Sequence, residues 1–494
     1  MSGEQRLAKP GTAEGALGSG LTSLVALLLF ALLVWAPLPY GSNRPWSWTL
    51  LAAAIGLLLV LMGVARLLGR DRGRPLPVVV PLAAAATGAA WLWAWAQTVP
   101  LDRWPVLPAW ASVPQVWVEA ARAGLLPEAT VGIDPDAGRD ALARLMAYGG
   151  AFWLAVLLFR DAGRSRRFLV LLLSVTSLYA LYGLVNHFAG WNTVLWEKEY
   201  KLNYGFVTST FVNRNNFATY ANIGILAGLC LLLEPFFRAK GVVDARRIAV
   251  EVFEKLLSKR GPLLLVVIVL ATASLLTASR GGLLSLLVAL ATLLVLVLAV
   301  AKPRAWVVLP GVAVAALAAW ALISVSGGEV LERLEQTEGT GGGRTEFWAH
   351  AVQMAGERPL LGHGYGTYVD AFFLNRTTAL TGNLTVDKAH NTYLEHAVEL
   401  GIPATVLLYV GPVLLFGYVV RGVLVRRKDQ VFPLFAATAT VLVAFHSLVD
   451  FSLQIPAVAL TYAVVLGMGV AQSVPTSSGR RQRHGASLRD EEEG

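Results

Sequence analysis

Apolar runs of about 20 residues recur along the whole chain, and each is long enough to cross the hydrocarbon core of a bilayer as a helix. No other feature narrows the fold so far. Within lipid the backbone must satisfy its own hydrogen bonds, so only helices and closed barrels can span. Barrel strands alternate apolar and polar residues over about 10 positions; these runs are continuous. Charged residues make up only 15% of the chain, against about 25% in soluble proteins. The expectation is an all-α polytopic membrane protein. Twelve spans are expected, near residues 20–37, 47–67, 77–99, 145–159, 168–189, 216–237, 261–279, 282–301, 305–325, 401–420, 431–449 and 456–474. The first run lacks a small-residue cleavage site close behind it, so it is expected to stay as a span.

Lys and Arg set the orientation. About two thirds of the 41 Lys and Arg residues fall in the first tail, the last tail and alternate loops such as Arg70-Asp-Arg-Gly-Arg74 and Arg164-Ser-Arg-Arg167. Both termini are therefore expected in the cytoplasm, with a tail at 1–19 and another, polar and disordered, at 475–494. Spans one to nine then occupy 20–325, with outer loops at 100–144 and 190–215. A long polar loop at 326–400 faces outward between spans nine and ten, and the last three spans occupy 401–474. The net charge of +9 fits this topology and contact with anionic lipid, with no nucleic-acid partner implied. The single cysteine, Cys230, allows no internal disulfide and no paired-cysteine zinc site.

The 326–400 loop carries four of the seven histidines, His350, His363, His390 and His396. Polar helices are expected over Glu329–Glu338 and Thr345–Glu357. Pro359 stops the second, and a glycine-rich loop, Pro359-Leu-Leu-Gly-His-Gly-Tyr-Gly366, follows. A third helix is expected to start near Asp387 as its cap, with His390 in its first turn sharing a face with Leu394. In the first outer loop, Trp104, Trp110 and Trp117 read as an interfacial aromatic belt. In the second, Trp191, Trp196, Tyr200 and Tyr204 precede Arg214.

The ionisable residues near the spans cluster at one face. His187, Arg214, Arg280, His446 and Asp450 all fall at the outer ends of spans, and none lies near a span centre. Carriers place such groups at the midplane, so this ring argues for chemistry at the outer leaflet. Arg280 tops a hairpin, Leu276-Thr-Ala-Ser-Arg280-Gly-Gly-Leu283. A cation there either meets lipid headgroups or holds an oxyanion. The glycines let an anion approach the backbone, and guanidinium offers paired donors to phosphate. Arg214 repeats the arrangement in Phe211-Val-Asn-Arg-Asn-Asn-Phe217, where Asn213, Asn215 and Asn216 can cap a helix whose exposed start attracts anions. His390 is suited to take a proton from a hydroxyl near neutral pH. His363 reads as a loop-packing residue, and His350, His396 and His484 have no special context. Metal-ligand spacing is lacking, so no metal and no cofactor are expected. Asn375-Arg-Thr377 and Asn383-Leu-Thr385 match the glycosylation pattern and read as chance.

Four pieces together resemble the O-antigen ligase and polymerase superfamily of bacterial inner-membrane glycosyltransferases. They are Phe211–Phe217, Ser279-Arg-Gly-Gly282, the stretch from Gly343-Arg344 through Trp348 to Gly366, and Ala389-His-Asn-Thr-Tyr-Leu394 followed by Glu399-Leu-Gly401. They lie within about residues 205–405. The resemblance implies a GT-C-like helical fold with the long periplasmic loop folded over a cavity. It implies an undecaprenyl-diphosphate-linked glycan donor, and a lipid A–core or lipid-linked glycan acceptor. It implies metal-independent, inverting transfer. By motif match, Arg214 and Arg280 would hold the diphosphate, and His390 would activate the acceptor hydroxyl or orient the donor. Arg344, Asn391 and Asp450 would support substrate binding. Ligase activity is the first expectation, repeat-unit polymerase the alternative. A lipid-linked sugar transporter is a second alternative, disfavoured by the absence of charged midplane residues.

Overall fold

A computed structural model of the protein describes residues 13–69, 75–103, 113–125, 128–191, 193–195, 197, 205–238, 260–301, 344–376 and 387–474. Among them are 15 α-helices and no strand. Eleven are apolar: α1 (Ala13–Trp35), α2 (Pro45–Leu68), α3 (Val79–Ala96), α5 (Pro135–Leu158), α6 (Ala162–Phe188), α7 (Arg214–Arg238), α8 (Gly261–Leu275), α9 (Arg280–Ala301), α13 (Ile402–Val425), α14 (Val431–His446) and α15 (Pro456–Ala471). Four are short and lie outside these: α4 (Gln115–Arg122), α10 (Arg344–Glu357), α11 (Tyr368–Leu374) and α12 (Thr392–Leu400). The expected polytopic all-α architecture is observed. The expected span at 305–325 and the helix Glu329–Glu338 lie outside the described residues.

Two helix starts differ from expectation for one reason. The helix expected at 145–159 begins at Pro135, where Asp134 accepts from the amides of Asp136 and Ala137 at 2.9 and 3.0 Å. The helix expected at 168–189 begins at Ala162, where Asp161 accepts from the Arg164 amide at 2.7 Å. In both, an aspartate cap starts a helix through polar turns that hydropathy alone discards.

The centre of the bundle is α15, whose side chains are buried almost all round, packed on α5, α14 and α13. Around it α1 pairs with α2, α3 with α13, α7 with α8, and α9 with α14. Eight helices are long and apolar enough to cross a membrane; α8, α14 and α15 are shorter. With 16 residues each, α14 and α15 measure about 24 Å at about 1.5 Å per residue, less than the roughly 30 Å of a hydrocarbon core. The segment joining them, 447–455, carries Asp450, which is buried.

The glycine-rich stretch and α12 are fastened to the end of α3. Gln97, fully buried, donates to the carbonyls of Leu361 and Glu399 at 2.6 and 2.9 Å and accepts from the Tyr365 amide at 3.0 Å. The amides of His363 and Gly364 donate to Val398 and Glu399 at 2.9 Å each. Gly362 and Gly401 meet here with φ of 70° and 76°. A Cβ at Gly362 would collide with the Glu399 carbonyl, so only glycine allows this crossing. The first outer loop joins the same cap: Ile133 donates to His363 at 2.9 Å, and Trp117 Nε1 donates to Gly132 at 3.2 Å. Trp117 is half-buried against this segment. Trp104 and Trp110 lie outside the described residues.

Candidate active site

The site is built on the polar first turns of α7. Asn213 accepts from the Asn215 amide at 2.8 Å, which starts the helix. Asn215, Asn216, Thr219 and Asn222 then follow at near-helical spacing, so an otherwise apolar helix carries one polar stripe. Each member has a distant partner. Asn215 Nδ2 donates to Asp450 Oδ2 at 2.5 Å. Asn216 Oδ1 accepts from Ser452 Oγ at 3.0 Å, and Thr219 Oγ1 donates to that same hydroxyl at 3.0 Å. His446 Nδ1 lies 3.0 Å from both hydroxyls. Asn222 donates to the Gly282 carbonyl at 2.8 Å and accepts from Ser274 at 2.7 Å.

The Ser279-Arg-Gly-Gly282 motif is explained by close approach. A Cβ at Gly282 would stand 2.8 Å from that of Ala218, and one at Gly281 would stand 3.3 Å from His446 Nε2. The two glycines let the start of α9, and with it Arg280, lie against α7 and α14. Arg280 is exposed. Arg214 opens α7, and its guanidinium carbon lies 4.0 Å from the Phe206 ring centroid.

His390 departs from expectation. It does not lie in a helix. Asn391 is the cap of α12, accepting from the amides of Tyr393 and Leu394 at 3.0 and 3.1 Å. Asp387 is not the cap. His390 occupies the preceding turn with φ of 50°, a left-handed conformation that a side chain other than glycine seldom adopts. The turn is held by Glu395, whose carboxylate takes the Lys388 ammonium and the Ala389 amide, both at 3.0 Å. Two further bonds dock α12 on the 447–455 segment: Thr392 donates its amide to Ser447 and its hydroxyl to Asp450 O, at 2.9 and 3.0 Å. His390 Nδ1 then lies 3.9 Å from Asp450 Oδ2, beyond a direct hydrogen bond, and its ring stacks edge-on to Phe451 at 5.2 Å. Asp450 is buried. Burial pushes its carboxyl up, but His390, the charge on His446 and the Phe451 amide outweigh this and hold it below the ordinary range.

The structure therefore joins Asp450 directly to Asn215, beside Arg214, and brings His390 to the same carboxylate. The start of α9, which carries Arg280, packs on α7 and α14. Arg344 opens α10, but its side chain lies outside the described residues. Asn391 spends its side-chain oxygen on capping.

A second polar group, missed in the sequence, lies under the cap. Glu399 accepts from the Tyr368 amide at 3.1 Å. Burial, followed by the charge of Glu395, pushes its carboxyl up to about 8, against the opposing pull of Lys388. His396 bonds the Tyr409 hydroxyl at 2.8 Å, and burial drives its imidazole down to about 4. His363 is buried with Nε2 3.1 Å from the Met354 carbonyl, the packing role expected of it. Glu399, His396 and Tyr409 border a cavity of about 540 Å³ between α3, α5, α13 and α15, lined also by Arg144, Asp387, Lys388 and Phe451. The only sequence signal for Glu399 was its place in Glu399-Leu-Gly401. Among the described residues no three His, Cys, Asp or Glu side chains gather as a metal site would require.

Residues 265–409 match the family model described as O-antigen ligase. This stretch of the chain is similar to that family. The match runs from α8 into the first turns of α13, and so includes Arg280, His390 and Glu399 but neither Arg214 nor Asp450. It supports the O-antigen ligase and polymerase superfamily, a glycosyltransferase-like family. No curated protein matches the chain at a significant level.

Proposed function

We propose that this protein transfers a glycan from undecaprenyl diphosphate to an acceptor sugar at the periplasmic face of the bacterial inner membrane, with lipid A–core as the acceptor. The observation that carries the reading is the shared carboxylate. Asp450 takes Asn215, next to Arg214, and faces His390 Nδ1 at 3.9 Å. A base and an anion-attracting helix start are thereby tied to one buried group, in a chain whose 265–409 stretch matches a glycosyltransferase-like family.

The chemistry follows from these positions. With Nδ1 turned to Asp450, His390 presents Nε2 to an acceptor hydroxyl. It takes the hydroxyl proton as the oxygen bonds the anomeric carbon. The bond from that carbon to the diphosphate oxygen breaks, and its electron pair leaves with undecaprenyl diphosphate. Arg214 and Arg280 offset the charge that grows on the leaving group; one such fixed donor is worth about 3–4 kcal/mol in comparable sites. Asp450 stabilises the imidazolium that forms. The cleaved diphosphate linkage is itself the source of driving force, so no nucleotide is needed.

The test is glycan display in cells carrying Arg280→Ala or His390→Ala, with membrane insertion checked by immunoblot. Loss of transfer with normal insertion is expected; normal glycan in either variant would remove the reading. The acceptor is decided by a deletion strain. Long lipid-linked glycan left unattached marks a ligase, and single repeats mark a polymerase.

A further inference from the structure

We infer that the cavity beneath the cap holds one acyl chain of the lipid-anchored acceptor, with the acceptor head at its rim beside His390. The inference rests on the transfer reading above and adds where the acceptor sits and what anchors it.

Depth is the first argument. On α15 the lining runs from Ile455 to Leu466, about 17 Å at about 1.5 Å per residue. One leaflet is about 15 Å of a roughly 30 Å hydrocarbon core. The cavity is thus one acyl chain deep, and a long polyprenyl chain does not fit within about 540 Å³ as a whole. Its walls are apolar, with Leu145, Phe152, Trp153, Leu408, Leu415 and Leu466 among them.

The rim is the second argument. Arg144 and Lys388 line the cavity with Asp387, Glu395 and Glu399; Lys388 is paired with Glu395, so Arg144 is the cation suited to a phosphate and the carboxylates suit the hydroxyls of a sugar head. Three lining side chains also have a buried donor without an acceptor: Trp91 Nε1, Tyr148 Oη and Gln454 Nε2. Buried polar groups are nearly always satisfied. Ester and hydroxyl oxygens of a glycolipid would supply the missing acceptors after small side-chain rotations.

Position is the third. Neither Arg214 nor Arg280 lines the cavity, but Phe451 does, and its ring lies 5.2 Å from that of His390. One aromatic ring separates cavity from base. Donor diphosphate on the Arg214–Arg280 side and acceptor on the cavity side would meet at His390.

Glycines permit a clean test. Gly88 and Gly149 both line the cavity, and a Cβ at either meets nothing within 4 Å. Gly149→Phe fills the cavity without a backbone clash and removes a poor helix former. Gly88→Leu is the second variant. Gly417→Phe is the control, also open at its Cβ but outside the lining. Purified full-length protein in nanodiscs is titrated with hexa-acylated lipid A by native mass spectrometry. Transfer is then assayed with acylated lipid A–core and with the deacylated core oligosaccharide. At least a tenfold loss of lipid A binding is expected for Gly149→Phe and Gly88→Leu, with KM for the acylated acceptor raised at least tenfold. Rates at saturating deacylated acceptor should stay at the wild-type level, and Gly417→Phe should behave as wild type. Undiminished lipid A binding by both folded variants would overturn the inference, as would selective loss of undecaprenyl phosphate binding. If the wild-type protein transfers to no acceptor, the transfer reading fails, while the lipid A titration still decides the cavity.

Discussion

Glu399→Gln isolates one buried proton. In the folded protein the Glu399 carboxyl is raised from 4.5 to about 8, first by burial and then by the charge of Glu395. Folding therefore retains a proton that the unfolded chain releases above pH 4.5. Stability from this group is fully present below the unfolded value and is lost as pH rises to the folded one, because the native state binds more protons in that window. The slope is about 1.4 kcal/mol per pH unit. From pH 6 to pH 8 the wild type should lose about 2 kcal/mol, and about 0.5 kcal/mol more above pH 8. Gln cannot ionise, yet it keeps an oxygen to accept from the Tyr368 amide. The variant should thus be nearly flat over the same range.

The sole cysteine supplies the assay. Cys230 is buried in α7, so a thiol-reactive fluorophore reports its exposure on heating in detergent. Thiol reactivity itself rises with pH, so the measure is the difference in melting temperature between variant and wild type at each pH. That difference should favour the variant and grow by roughly 5 °C between pH 6 and pH 8.5, taking about 2 °C per kcal/mol for a large chain. Curves for the two proteins that shift in parallel with pH would show that Glu399 holds no such proton.

Other perturbations follow the same geometry. Asp450→Asn keeps the shape but removes the charge facing His390 and should cut transfer at least tenfold while leaving insertion normal, measured as glycan displayed per unit of inserted protein. Gly362→Ala places a Cβ against the Glu399 carbonyl at φ of 70° and should loosen the cap, read as faster proteolysis of the 344–400 region and loss of transfer. Arg166→Ala strips the 2.8 Å partner from the buried Glu234 carboxylate and should lower stability by about 1–3 kcal/mol, visible in the same fluorophore melt with activity per folded molecule unchanged.

Much of this architecture was written in local patterns. Eight helices were legible because each is an apolar run of membrane length, and Arg280 and Arg214 stood out as cations at helix starts. The turn of His390 was not legible. Asp387 and Asn391 are both good caps, and which one starts α12 is decided by the docking of Thr392 on Ser447 and Asp450, far along the chain. The polar stripe of α7 was hidden for a related reason. Asn216, Thr219 and Asn222 look like tolerated polar residues in a hydrophobic span until Ser452, Gly282 and Ser274 are brought to them. Gln97 is the extreme case: its partners Leu361 and Glu399 lie 264 and 302 residues away, and no spacing rule reaches that far.

The site gathers at the ends of the shorter helices. α8, α14 and α15 are shorter than the eight span-length helices, and the polar segments 276–279 and 447–455 follow the ends of α8 and α14. A polar segment buried there must find hydrogen bonds inside the protein, because an unpaired buried carboxylate or imidazole is costly. The stripe on α7 meets that need, and in doing so it draws Asp450 and His446 to the starts of α7 and α9. Those helix starts carry the positive end of the helix dipole and arginine side chains, which favour an anion. The α12 turn then docks on the 447–455 segment and adds His390. If this account is right, lengthening the stripe's apolar character should matter more than its distance from any substrate suggests. Asn222→Leu touches no proposed substrate position, yet it removes the acceptor of Ser274 and the donor to Gly282. It should displace the start of α9 and lower transfer through Arg280, so that activity falls at least tenfold while His390-dependent features such as the pH profile keep their shape. An Asn222→Leu protein with wild-type transfer would show that the stripe only satisfies buried bonds and does not position the arginine.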